Sequence, residues 1–432
     1  MVNVVKYPGR SEWNDLMRRA ATVNDMVRDN VRSIIEDVKR RGDEALLEYS
    51  ERFDRCCLDS LKVGEKEIEE ACRAVPASLK SSMELAISNI AKFHKAQMPD
   101  EVVVETMPGV TCRQKAVPIS RVGIYAPGGN APLFSTVLML AVPAVIAGCE
   151  EIVLCTPPGK DGKVDAAILC AAHMAGVNEI YKVGGAQAVA AMAFGTESIK
   201  RVNKIFGPGN RYVTEAKQQV GMCGVAIDLP AGPSEVMVLA DSSASPQSVA
   251  ADFLSQAEHG VDSQSILLTD DECLADRLPV IIERYIDLIP KKELAMQSLS
   301  KSHVILLHNS EEMMDFANEY APEHLIINCT EPWSLAKKVK NAGSVFIGPY
   351  SPESVGDYAS GTNHTLPTGG HAKSLSGVNI DSFVKKITFQ ELTQDGLKSI
   401  ASTVMEMAER EGLIAHKLAV EVRIENKINE TL

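Results

Sequence analysis

Apolar positions along the chain change period twice. Val23, Val27, Val31, Ile34, Ile35 and Val38 recur about every 3.6 residues, which predicts a helix closed by Gly42. A second amphipathic helix is expected over 79–93, followed by short strands over 101–107 and 111–117 around the Pro108-Gly109 turn. From Ile119 the pattern becomes strand–helix alternation. Apolar runs at 121–126, 151–155, 179–183, 204–206 and 225–228 each end in a Gly/Pro-rich turn, among them Pro127-Gly128-Gly129, Gly207-Pro208-Gly209-Asn210 and Pro230-Ala231-Gly232-Pro233. Helical runs at 133–147, 164–175 and 186–194 lie between them. The alternation restarts with strands at 235–240, 264–269, 304–307, 325–328 and 344–347 and helices at 246–258, 278–289, 311–320 and 333–342. Units this short imply parallel sheets with right-handed crossovers. The fold class is therefore α/β, two Rossmann-like open parallel-sheet domains in tandem, with a helical N-terminal segment. A Gly-rich stretch, 360–377, leads into helices at 391–411 and 416–429 whose weak apolar face must dock on this body or on a partner.

At 432 residues, two or three domains are expected, and 45% hydrophobic with 23% charged residues describes an ordinary globular chain. The net charge of −13, with no long Lys/Arg cluster, argues against a nucleic-acid surface. No signal-peptide core is expected in 1–10, and the most apolar window, 137–149, is too short for a bilayer and contains Pro143. The ten cysteines are scattered without a CxxC pair, which fits reduced thiols in a cytoplasmic setting.

Chemistry concentrates at a few polar clusters. In Ser255-Gln256-Ala257-Glu258-His259-Gly260, Gln256 and His259 are three apart and share a helix face, with Gly260 expected to end the helix in the left-handed conformation. An amide oxygen and an imidazole there can be half of a metal site; a solvated polar helix end is the alternative. Glu323-His324 at a helix-to-strand junction offers two general bases of different strength, against a helix-end charge beside a solvated histidine. Asp357 can be a hard oxygen ligand or a turn residue, and Glu411 with His416, on local evidence alone, reads as a solvated helix end. His364 shares the second Gly-rich cluster. The strand ends of 119–233 suit a nucleotide because glycine admits close backbone approach, but no GxGxxG fingerprint is present.

Taken together, the blocks Gly123-Ile124-Tyr125-Ala126-Pro127-Gly128-Gly129, Gly184-Gly185-Ala186-Gln187, Gly207-Pro208-Gly209-Asn210, Ala231-Gly232-Pro233-Ser234-Glu235, Leu254 to Gly260, Ala321-Pro322-Glu323-His324-Leu325, Gly356 to His364 and Glu411 to His416 occur in the order seen in histidinol dehydrogenases, which the chain resembles over nearly its whole length. The resemblance implies NAD-linked four-electron oxidation of L-histidinol to L-histidine via L-histidinaldehyde. It implies one zinc ion per subunit, held by Gln256, His259, Asp357 and His416, and catalysis by Glu323 and His324. Substrate contacts map to Ser234, Gln256, His259, His324, Asp357, Glu411 and His416, and NAD contacts to Tyr125, Gln187 and Asn210. It further implies a cytoplasmic homodimer that exchanges its C-terminal segment, so that Glu411 and His416 serve the other subunit. The implied division is an N-terminal helical arm, 1–22; a first α/β domain, 23–118 with 234–378, carrying most of the zinc and catalytic site; an NAD-binding α/β domain, 119–233; and an exchanged helical segment, 379–432. Three other readings are a related dehydrogenase of a sulfonated diol, a non-enzymatic metal- or nucleotide-binding module, and a zinc hydrolase. Glu411 suits an ammonium group better than a sulfonate. The Glu323-His324 pair argues against the second, and the Gly-rich strand ends against the third.

Overall fold

The computed structural model describes residues 2–19, 25–128, 132–177, 179–230 and 232–424. Val23, Gly129, Ala231 and the end of the helix expected at 416–429 lie outside the described residues. The chain forms two compact units, one of 1–97 with 119–383 and one of 98–118 with 384–432.

The larger unit contains both parallel sheets. In the five-stranded sheet the spatial order is Glu179–Lys182, Glu151–Thr156, Arg121–Tyr125, Lys204–Phe206, Ala226–Ile227. Every residue of Arg121–Tyr125 is buried, because helices cover both faces and leave no position for a polar alternation. Helix Gly185–Phe194 is mostly Ala, Val and Met and packs tightly: a Cβ on Gly123 would meet Met192 Sδ at 2.6 Å. The long apolar run becomes helix Phe134–Ala147, buried along most of its length against this core. No described helix is long and apolar enough to cross a membrane.

The six-stranded sheet is also parallel, in the order Asn3–Lys6, His303–Leu306, Gln264–Thr269, Glu235–Ala240, His324–Asn328, Ser344–Ile347. Its two central strands, Gln264–Thr269 and Glu235–Ala240, are buried throughout. The N-terminal segment differs from the expected helical arm. It opens with a strand, Asn3–Lys6, paired in parallel with His303–Leu306, and only then forms the short helix Trp13–Leu16. Four residues of Asn-Val-Val-Lys carry no period of their own; the exposed edge of the sheet supplies their hydrogen bonds. Trp13 and Leu16 are buried in the sheet's core cluster.

The smaller unit is a three-stranded antiparallel sheet with two helices, Gln394–Arg410 and Ile414–Ile424. Strands Val102–Met107 and Val110–Pro118 form where the sequence placed them. Their partner is Val384–Leu392, a strand in what was expected to be a wholly helical tail.

Candidate functional site

The catalytic candidates gather at the amino ends of two neighbouring strands of the six-stranded sheet. His324 is the first residue of His324–Asn328, and Ser234 immediately precedes Glu235–Ala240. One residue tethers the pair through its backbone. The Glu235 N–H donates to Glu323 Oε2 at 2.8 Å, and His324 Nδ1 donates to the Glu235 carbonyl at 3.0 Å. The Glu235 side chain is itself held by the Arg19 guanidinium, with Nε at 2.6 Å, and by the Gly369 N–H at 2.9 Å. Gly343 is required beneath the pair, since a Cβ there would come within 2.6 Å of the Glu323 carbonyl. The His324 ring stacks on Phe346, with centroids 6.0 Å apart, and its Nε2 lies 3.3 Å from Asp357 Oδ1.

Burial raises the Glu323 carboxyl well above the usual range. Burial opposes charge on His324, but Glu323, Asp357 and Glu353 more than offset it and raise the ring's proton affinity. Asp357 also resists burial. The bond from His324 and the nearby His364 and His259 keep it low, hence ionised. Burial pushes His364 down; its Nδ1 donates to the Asp357 carbonyl at 2.9 Å. His259 is open to solvent on one side of the chain, yet the protein packed around its other sides pushes it down, toward the neutral imidazole that binds metals.

Gln256 is where geometry departs from the helical expectation. Helix Pro246–Ser255 tightens into a 3-10 turn over Gln256–Glu258, and Gly260 does not adopt the left-handed conformation. The turn buries Gln256 and leaves His259 at the surface. Gln256 Nε2 donates to Glu353 Oε1 at 2.9 Å, whereas its Oε1 is buried without a hydrogen-bond partner. Glu353 and Asp357 lie four apart on helix Glu353–Tyr358, so one helix face carries both. An unpartnered amide oxygen, a neutral imidazole and an ionised carboxylate suit a borderline cation such as zinc. Among the described residues, no three His, Cys, Asp or Glu side chains form a ready metal cluster, and the implied donor set draws only two of that class, His259 and Asp357, from this unit. His416 and Glu411 belong to the smaller unit, where both are exposed.

The three expected NAD residues stand at carboxyl ends of the five-stranded sheet. Tyr125 ends its strand, and its hydroxyl accepts from the Gly185 N–H at 3.1 Å. Gln187 is buried in the first turn of helix Gly185–Phe194. Asn210 caps helix Arg211–Gly221, its Oδ1 accepting from the Tyr212 and Val213 N–H groups at 3.0 and 3.2 Å, so this side chain has a structural task whatever it binds. Gly207, at φ 125°, brings its backbone onto the Tyr125 carbonyl, where a Cβ would collide. A contact from helix Phe134–Ala147 joins the two halves: Thr136 Oγ1 lies 3.4 Å from His364 Nε2. Sequence reasoning did not identify Glu353 or Glu235 as site residues. The four-residue spacing of Glu353 from Asp357 was the available signal for the first; none existed for a backbone tether.

Comparison with known proteins agrees in family and fold. The histidinol dehydrogenase family model matches residues 17–424. The histidinol dehydrogenase of Bacteroides fragilis is 56% identical over 424 residues, covering 98% of this chain and 99% of the relative. That of Photobacterium profundum is 52% identical over 412 residues, 95% and 92% of the two chains. The crystal structure of histidinol dehydrogenase from Elizabethkingia anophelis superposes with a TM-score of 0.96 at 49% identity, covering 98% of each chain. The chain belongs to the histidinol dehydrogenase family.

Proposed function

We propose that this chain oxidises L-histidinol to L-histidine through L-histidinaldehyde, using NAD and one zinc ion per subunit. The observation that carries the reading is the Glu323–His324 pair hung from the Glu235 backbone, with His324 Nε2 meeting the candidate ligand Asp357 at 3.3 Å. Gln256, His259 and Asp357 would hold the metal, which when bound supplies a Lewis acid and a template for the substrate's imidazole and amine. Bound NAD supplies the hydride acceptor at the strand ends carrying Tyr125, Gln187 and Asn210.

His324 is fixed through Nδ1, so Nε2, which meets Asp357 at 3.3 Å, is the atom left to exchange protons with substrate once Asp357 serves the metal. It accepts the carbinol proton as hydride leaves, giving the aldehyde. Glu323 has one oxygen tied to Glu235 N–H, and burial makes its carboxylate a stronger base. It takes a proton from water as the water attacks the aldehyde, and the protonated His324 returns its proton to the carbonyl oxygen, which completes the hydrate and frees Nε2. His324 then accepts the hydrate's proton as the second hydride departs. Ser234, at the same strand ends, hydrogen-bonds the substrate in this reading. Residues 234–378 thus carry most of the metal and catalytic chemistry, and 119–233 the nucleotide.

The exposed Glu411 and His416 complete the site of a second copy in a cytoplasmic homodimer. The exposed Met407, Leu413, Ile414 and Leu418 around them support such burial. Glu411 suits the substrate ammonium group. The test is an anaerobic NADH assay with histidinol, before and after chelation and zinc restoration. Two NADH per histidine, lost on chelation and regained with zinc, are expected; metal-loaded protein that forms none overturns the reading.

A further inference from the structure

A carboxamide can offer a cation either its oxygen, which binds, or its NH2, which does not. The two ends are nearly the same size, so packing alone does not choose between them. Around Gln256 the choice is made by Glu353. Glu353 Oε1 already takes the Ser255 hydroxyl as a donor, so it faces the amide as an acceptor and meets Nε2 at 2.9 Å. Oε1 of Gln256 then points away from Glu353 and finds no partner, though it is buried. The Ser255 hydroxyl shares its proton between that Glu353 oxygen and the Asp252 carbonyl, so two adjacent residues at the junction of the α-helix and the 3-10 turn fix the carboxyl group. Glu353 is 2% exposed and begins the helix that ends with Asp357 and Tyr358. One short helix therefore carries the candidate ligand Asp357 and the group that aims the candidate ligand Gln256.

We propose that Glu353 is a positioning residue that fixes the Gln256 amide with its oxygen toward the metal. The inference rests on the reading of Gln256 as a metal ligand. Removing the Glu353 Oε1 acceptor frees the amide to flip, and the bound cation then competes with a conformer presenting NH2. Groups that orient metal ligands in this way are worth about 10- to 100-fold in affinity.

The experiment is zinc affinity of the full-length protein by competition with a chromophoric chelator, in a cycle of Glu353→Gln, Gln256→Ala and both. Absorption of the cobalt-loaded protein reads the coordination directly, independent of turnover. Expected is an affinity loss of about 10- to 100-fold for Glu353→Gln, with an altered cobalt spectrum and no further loss when Gln256 is already Ala. If Gln256→Ala weakens binding and Glu353→Gln does not, the positioning role falls and the ligand assignment stands. A further loss from Glu353→Gln in the Gln256→Ala background also overturns it, since Glu353 would then act on the metal itself. Unchanged affinity in Gln256→Ala removes the ligand reading and this inference together. Circular dichroism melts monitor folding. Should Glu353→Gln unfold, Ser255→Ala carries the test, removing one of the carboxylate's two donors. A smaller affinity loss in the same direction supports the role, and none overturns it.

Discussion

The two parallel sheets of the larger unit put their chemistry at opposite ends. The five-stranded sheet presents Gly-rich turns at the carboxyl ends of its strands, most of them opening a helix, where close backbone approach suits a phosphate or a flat ring. The six-stranded sheet presents Glu323, His324 and Ser234 at the amino ends of its strands, where side chains project and a neighbouring backbone holds them. In the proposed function one end binds the nucleotide and the other reacts through side chains. Substitutions in the two places should therefore fail differently.

The largest effect is expected at the reacting end. His324→Asn keeps a donor for the Glu235 carbonyl but loses the proton-accepting Nε2, and should lower kcat about 10²- to 10⁴-fold with little change in KM for NAD. A rise in that KM with kcat retained would erase the division between the sheets. A paired glycine test sharpens it. Gly343→Ala drives a methyl toward the Glu323 carbonyl and should lower kcat about 10- to 100-fold. Gly207→Ala, strained at φ 125° against the Tyr125 carbonyl, should instead raise KM for NAD about tenfold. Steady-state kinetics in both substrates separates the two.

The contribution of the second copy is next. Co-expressed Glu323→Gln and His416→Asn chains, each inactive alone, should regain about a quarter of wild-type activity, because half of random dimers carry one intact site of two. No recovery in a verified mixed dimer would return His416 to an ordinary helix end.

The smallest effect lies away from both sites. On helix Asp25–Arg41, which packs on the five-stranded domain, the Arg41 and Arg40 guanidiniums, with the Tyr49 hydroxyl, hold Asp37 well below the usual carboxylate range. A depressed folded-state value adds stability above the ordinary carboxylate value, and this is lost as pH falls through the folded one. Asp37→Asn should lower the melting midpoint by about 2–4 °C at pH 7, with the gap closing below about pH 4 and kcat unchanged. Thermal melts across pH 3–7 measure it.

Both parallel sheets were legible because buried strands are continuous apolar runs punctuated by glycine and proline, and the observed bounds fall close to those runs. Val384–Leu392 was not, because only Val384 is buried and Lys385-Lys386 break the pattern; its partner Val110–Pro118 holds it, nearly 300 residues away in sequence. Asn3–Lys6 is likewise made a strand by its neighbour. At the site, the spacing of Gln256 and His259 was visible, but a 3-10 turn places them differently from an α-helical face. Glu353, in Ser-Pro-Glu-Ser, looks like any solvated helix start until the fold buries it. The residues alone left ligand and turn readings open for Asp357 and His416, and the family resemblance supplied their roles.

Glu235 makes one last point about inheritance. Its amide and carbonyl hold Glu323 and His324, and those atoms are common to almost every amino acid. A drifting gene can exchange the carboxylate at 235 and weaken the Arg19 clasp, yet it leaves both anchoring atoms in place. Only proline, which has no amide hydrogen, would strip the anchor from Glu323 in one step. The geometry of that pair is thus written in the part of the chain least open to mutation.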